Sequence, residues 1–209
     1  MNLMYTVLVV DDDPAIREIF TAYLEMGGYT VIAVSGGQEC LELLKTRIPD
    51  LILLDLMMEP MDGWETLRGI RRQPGTGQIP AMIITGKQPV PEDILQYGGL
   101  IEDFIVKPVE FSRLAASLPC TIEKVRDLDQ VVSRKKAEGL DPALIAEYSS
   151  LLRLVRITYN LIGRFAGIPW AGRISLQTQE ERLLLLHNRL GVPDRFLKRD
   201  NGEMIGAGR

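Results

Sequence analysis

A chain of 209 residues holds one large domain or a standard domain with an extension. With 46% hydrophobic and 25% charged residues it has ordinary globular composition, and no apolar stretch nears the roughly 20 residues of a membrane span. Two cysteines, Cys40 and Cys120, exclude a disulfide framework or a cysteine metal site; with no signal-like start, a cytoplasmic protein with buried thiols is expected. The net charge of −4 is uneven: residues 1–118 carry 9 Lys/Arg against 17 Asp/Glu (−8), and residues 119–209 carry 15 against 11 (+4). The basic half is too weakly charged to argue for nucleic acid by itself.

The first half alternates short β-branched runs with amphipathic segments. Strands are predicted at 6–10, 30–34, 51–54, 81–85 and 104–106, and helices at 14–26, 38–46, 64–71, 91–97 and from about 110. Turn residues fall between them at Gly27-Gly28, Pro49-Asp50, Gly75-Thr76-Gly77 and Gly98-Gly99. Strict βα alternation with right-handed crossovers predicts an α/β fold, a flavodoxin-like, doubly wound, five-stranded parallel sheet.

The second half shows no convincing strand and is predicted to be all-α. Pro119 ends the fifth helix or opens the next one. Leu118, Ile122, Val125, Asp129 and Val132 form a heptad-like seam with one polar defect. Leu144, Tyr148, Leu151, Val155, Thr158, Ile162 and Phe165 mark one face of a long helix. A loop is predicted at 167–172. Thr178 and Glu181 suggest a capping box for a helix ended by Gly191 and Pro193. His187, the one histidine, has no nucleophile or ligand pattern beside it and reads as a surface or partly buried residue.

Two of the predicted strands end in carboxylates, at Asp11-Asp12-Asp13 and Asp55; a third ends in the hydroxyl of Thr85 and a fourth in the cation of Lys107. Ligands of open parallel sheets bind at the carboxyl ends of the strands, so these groups converge on one cleft. Such a cluster suits a divalent cation and a phosphoryl group. Asp13 alone is the natural cap of the helix opened by Pro14.

This layout resembles the receiver domain of two-component response regulators. The matching pieces are Val9-Val10-Asp11-Asp12, Leu53-Leu54-Asp55-Leu56, Met61-Asp62-Gly63, Ile83-Ile84-Thr85-Gly86 and Phe104-Ile105-Val106-Lys107-Pro108. The resemblance implies that Asp55 is the phosphoacceptor, with magnesium held by Asp11, Asp12, Asp55 and the backbone carbonyl of Met57. It also implies that Lys107 and Thr85 meet the phosphoryl oxygens, that Thr85 and Phe104 act as switch residues, and that a sensor histidine kinase or phosphotransfer protein is the partner. For Phe104 the plainer alternative is an ordinary core aromatic. Glu59 stands where the family usually has proline, and a solvent-facing side chain is expected there.

The expected organisation is a receiver over 1–118, a helical linker over 119–140, a helical output or interaction region over 141–199 and a loose tail over 200–209. A helical interaction or homodimerisation module is the first reading of the second half. DNA binding ranks next, because residues 149–199 hold 9 Lys/Arg against 3 Asp/Glu and the 178–199 stretch can be read as helix–turn–helix. An enzymatic output ranks last, since no nucleophile–base pair, metal cluster or nucleotide loop follows residue 118.

Overall fold

The computed structural model describes residues 5–164, 176–198 and 203–205. The chain forms two compact units, one of residues 1–88 and 102–125 and one of residues 89–101 and 126–209.

The first unit is the predicted α/β fold. Its strands β1 (Thr6–Val10), β2 (Thr30–Val34), β3 (Leu51–Leu54), β4 (Ala81–Thr85) and β5 (Asp103–Val106) form one parallel sheet in the order β2-β1-β3-β4-β5. Strands covered on both faces need apolar residues at every position, and β3 and β4 are buried throughout. On one face Val7, Val9, Leu51, Leu53, Met82 and Ile84 meet Phe20 and Leu24 of α1 (Pro14–Met26). The same layer takes Leu114, Leu118 and Ile122 from α5 (Phe111–Ala137). The opposite set, Leu8, Val10, Ile52, Leu54 and Ile83, is equally buried. The remaining helices of this unit are α2 (Gly37–Leu43) and α3 (Gly63–Arg72).

Pro119 neither ends nor begins a helix: α5 runs through it. An interior proline costs about 3 kcal/mol or more, whereas each fully buried Leu or Ile contributes roughly 1.5–3 kcal/mol. Leu114, Leu118 and Ile122 straddle the proline on one apolar stripe and outweigh it. The expected boundary at 118/119 is therefore a point inside a helix of 27 residues. The seam also departs from prediction beyond Val125: Leu128 and Val131 are buried, and Asp129 and Val132 only half-buried. From residue 126 the helix belongs to the second unit, and Leu128 and Val131 are the residues that enter its core.

The second unit is helical, with α4 (Pro91–Tyr97), a 3-10 turn at Gly98–Leu100, the end of α5, α6 (Pro142–Arg164), α7 (Gln177–Leu190) and a 3-10 turn at Asp194–Leu197. Its core joins Leu128, Ile145, Tyr148, Leu152 and Val155 to Leu183, Leu186, Leu190 and Phe196. Only one face of α6 is predicted to be buried, yet Leu152, Ile157 and Leu161 are buried beside Tyr148 and Val155. Leu152 belongs to the helical core, whereas Ile157 lies against Gly98, because α6 also packs on the 98–100 turn. Phe165 and the 167–172 loop lie outside the described residues. The capping box is not formed: α7 starts after Leu176, without a side-chain cap, because burial of Leu176 in the core sets the start. Gly191 ends α7 at φ 58°, in the left-handed region glycine favours.

His187 is not a surface residue but 3% exposed. Its Nδ1 lies 3.0 Å from Tyr148 Oη and its Nε2 3.0 Å from Asp194 Oδ1. Among the described residues of the expected tail, Met204 bridges Lys198, and Ile205 is buried and donates its N–H to Leu197 O at 2.8 Å. No helix among the described residues is long and apolar enough to cross a membrane.

Candidate functional site

Register alone brings the acidic residues together. Val10 of β1 pairs with Leu54 of β3, so Asp11 and Asp55 leave the sheet side by side, and Asp55 N donates to Val10 O at 2.9 Å. Thr85 pairs with Val106 across β4 and β5, and Lys107 N donates to Thr85 O at 2.8 Å. Carboxylates, hydroxyl and ammonium thus share the carboxyl edge of the sheet.

Asp11 and Asp55 are 4% and 5% exposed, while Asp12 faces solvent. One oxygen from each of the three can come within 4.8 Å of the others. Asp11 Oδ2 accepts from Lys107 Nζ at 2.8 Å, and its Oδ1 accepts from Asp13 N at 2.9 Å. Asp13 caps α1 by accepting from Ala15 N at 2.8 Å, as predicted. Asp55 Oδ2 accepts from Met57 N at 2.9 Å. Its Oδ1 stands 3.4 Å from Lys107 Nζ, an ion-pair separation, and has no aligned hydrogen bond.

Burial raises the Asp55 carboxyl above the ordinary carboxylate range; Lys107 opposes that shift and Asp11 adds to it. For Lys107, burial pulls downward, but the hydrogen bond to Asp11 and the charges of Asp55 and Asp11 outweigh it, and the ammonium rises. One cation therefore serves two buried carboxylates with a third nearby, and the edge carries excess negative charge. A buried carboxylate oxygen without a hydrogen-bond partner, among hard oxygen donors, fits a small divalent cation.

Thr85 is fully buried, and its Oγ1 accepts from Lys87 N at 3.2 Å. Phe104 is 1% exposed with its ring centroid 6.5 Å from that of Trp64. That burial fits the ordinary core aromatic as well as a switch residue. Glu59 is exposed, as expected, and precedes a cis peptide to Pro60; the Lys107-Pro108 bond is also cis.

Two residues matter more than their sequence signals indicate. A methyl at Gly63 would lie 2.1 Å from Asp55 O and 2.7 Å from Leu56 Cα, so only glycine lets α3 start against the Asp55 backbone. Asp62 caps that helix through Glu65 N at 2.7 Å. Arg17 donates from Nη1 to Asp11 O at 2.7 Å and braces the loop that carries Asp11. Its signal was only a basic residue on the first turns of α1.

The response regulator receiver domain model matches residues 7–119, and the chain belongs to that family. A protein of Priestia megaterium named "Probable C4-dicarboxylate response regulator DctR" is 34% identical over 163 residues, 76% of this chain and 69% of that protein. The transcriptional regulator RpaA of Synechocystis, described as DNA-binding, is 26% identical over 166 residues, with the same coverages. Among solved structures, CheY4 of Vibrio cholerae is 28% identical with a TM-score of 0.53 over 56% of this chain and 98% of that one. The receiver domain of the Pseudomonas aeruginosa sensor histidine kinase PA1611 is 28% identical with a TM-score of 0.53, covering 57% and 98%. That structure is described with a magnesium ion in its active-site cleft. The protein is a two-component response regulator with a CheY-like receiver followed by a helical region.

Proposed function

We propose that Asp55 accepts a phosphoryl group from a histidine kinase or phosphotransfer protein, and that the change drives a helical interaction module. The carrying observation is the buried Asp55 Oδ1, which no hydrogen bond engages, beside the Lys107 ammonium. A carboxylate oxygen of Asp55 would form the new O–P bond while the donor's bond to phosphorus breaks and the donor leaves with the electron pair. Lys107 would pair with the phosphoryl oxygens, and Thr85 would donate its hydroxyl proton to one of them. Asp11, Asp12, Asp55 and the Met57 carbonyl would hold magnesium, whose chemistry is to screen charge on the incoming group.

An output acting through association rather than catalysis fits the packing of α6 and α7. A homodimer is the assembly expected of it. DNA binding is the second reading, favoured by the similarity to RpaA. Against it, the segment after α7 is a four-residue turn whose Phe196 and Leu197 are buried, and Arg195 is bound to Asp127 at 2.9 Å.

The test is incubation with a small phosphoryl donor and magnesium. One hydroxylamine-labile phosphoryl group per wild-type chain is expected, with none on Asp55→Asn; equal labelling of the variant overturns the assignment. Lys107→Ala should keep its response to magnesium yet lose the response of the helical region.

A further inference from the structure

We propose that Arg17 is a positioning residue for the cation: from α1 it fixes the peptide that joins Asp11 to Asp12, although its own charge opposes a bound cation. This rests on the cation and phosphoacceptor reading above.

The chain leaves β1 at Val10, and the carboxylates of Asp11 and Asp12 follow on one loop. Asp11 is tied on every side. Its N–H donates to Val34 O at 3.3 Å, its Oδ1 accepts from Asp13 N at 2.9 Å and its Oδ2 from Lys107 Nζ at 2.8 Å. Its carbonyl oxygen accepts from Arg17 Nη1 at 2.7 Å. A peptide unit is planar, so the plane that carries Asp11 O also carries Asp12 Cα. Asp12 is exposed, and the peptide before it is where Arg17 takes hold.

Arg17 is half-buried and rides on the first turns of α1, whose start is set by the Asp13 cap and Pro14. Its charge also reaches Glu39 of α2. Glu39 accepts from Ser35 N and from Ser35 Oγ, both at 2.8 Å. Those bonds hold the Glu39 carboxyl below its ordinary value; burial opposes them and Arg17 adds to them. The loops after β1 and β2 are thus linked twice, by Asp11 N to Val34 O and by the attraction of Arg17 for Glu39.

A guanidinium in this place has two effects of opposite sign. As a charge it repels a divalent cation, so its removal would tighten binding. As a brace it keeps carboxylate oxygens where a cation meets them, so its removal would loosen binding. Groups that orient metal ligands typically change affinity by about 10–100-fold. The charge is half-exposed and screened by water and salt, whereas the hydrogen bond acts at contact, so the brace outweighs the charge.

The experiment uses the full chain and manganese, a divalent cation that takes the same oxygen ligands, followed by loss of the free ion's electron paramagnetic resonance signal. Wild type is compared with Arg17→Met, Arg17→Gln, Arg17→Lys and Asp55→Asn, and each is also melted without metal. Two neutral variants are used so that the result does not depend on one that folds poorly. Both are expected to bind manganese about tenfold more weakly. Arg17→Lys keeps the charge and a donor, and is expected to recover most of the affinity. Unchanged or tighter binding in the neutral variants overturns the proposal. So does a loss in Arg17→Lys equal to theirs, or a loss confined to variants whose metal-free melting temperature falls with it. If wild type binds no more manganese than Asp55→Asn, the cation reading has itself failed and the proposal falls with it, which is a distinguishable result.

Discussion

At the scale of residues, the site is built to be short of positive charge. Asp11 and Asp55 share one ammonium, and Asp55 Oδ1 faces it without a hydrogen bond. Asp55→Asn removes one buried charge, so it is expected to raise the melting temperature in magnesium-free buffer by about 2–4 °C, the shift roughly 1 kcal/mol gives a chain of this size. Scanning calorimetry checks this; an unchanged or lower value removes the argument. The pH dependence has a definite sign. The folded Asp55 carboxyl is raised above its unfolded value, so the stability it confers is present below the ordinary carboxylate range and lost as pH rises through the raised value. Asp55→Asn should flatten that decline.

At the scale of elements, what the sequence revealed tracks how local each signal is. The ends of β1, β2, β3, β4, α1 and α4 follow from β-branched runs, Pro14, Pro91 and the turn glycines, all of which act within a few residues. Asp11, Asp12, Asp55, Thr85 and Lys107 were readable because strand ends in a parallel sheet converge by topology. Three features were not readable, each for a long-range reason. The passage of α5 through Pro119 depends on burial of Leu118 and Ile122 against the sheet. The start of α7 depends on burial of Leu176, which overrides a local capping signal. Burial of His187 depends on Tyr148, 39 residues away. Gly63 illustrates how an element positions the site. Gly63→Ala should cost about 1–3 kcal/mol, as overpacking against fixed backbone does, and should also weaken the magnesium response. Urea denaturation with and without magnesium tests both parts; a fully stable variant with wild-type magnesium response contradicts the close approach described.

At the scale of the whole molecule, receiver and helical region are joined twice in sequence: through α5 and through the segment 89–101. If Asp55 is the phosphoacceptor, a signal leaving it can follow either of these, the second bounded by Thr85 and Phe104. If the helical region is an association module, the molar mass by light scattering should change on addition of beryllofluoride and magnesium in wild type and stay constant in Asp55→Asn. A mass that is the same in every condition would move the output to an outside partner, and salt-dependent duplex binding would then be the next measurement.

The single histidine carries a consequence for the phosphoryl group's source. Both ring nitrogens of His187 are engaged, by Tyr148 and Asp194, and the imidazole is closed to solvent. These 209 residues therefore contain no imidazole able to pass a phosphoryl group to Asp55. A histidine donor must come from outside them, and transfer in a mixture should be second order, with its rate set by the donor's concentration.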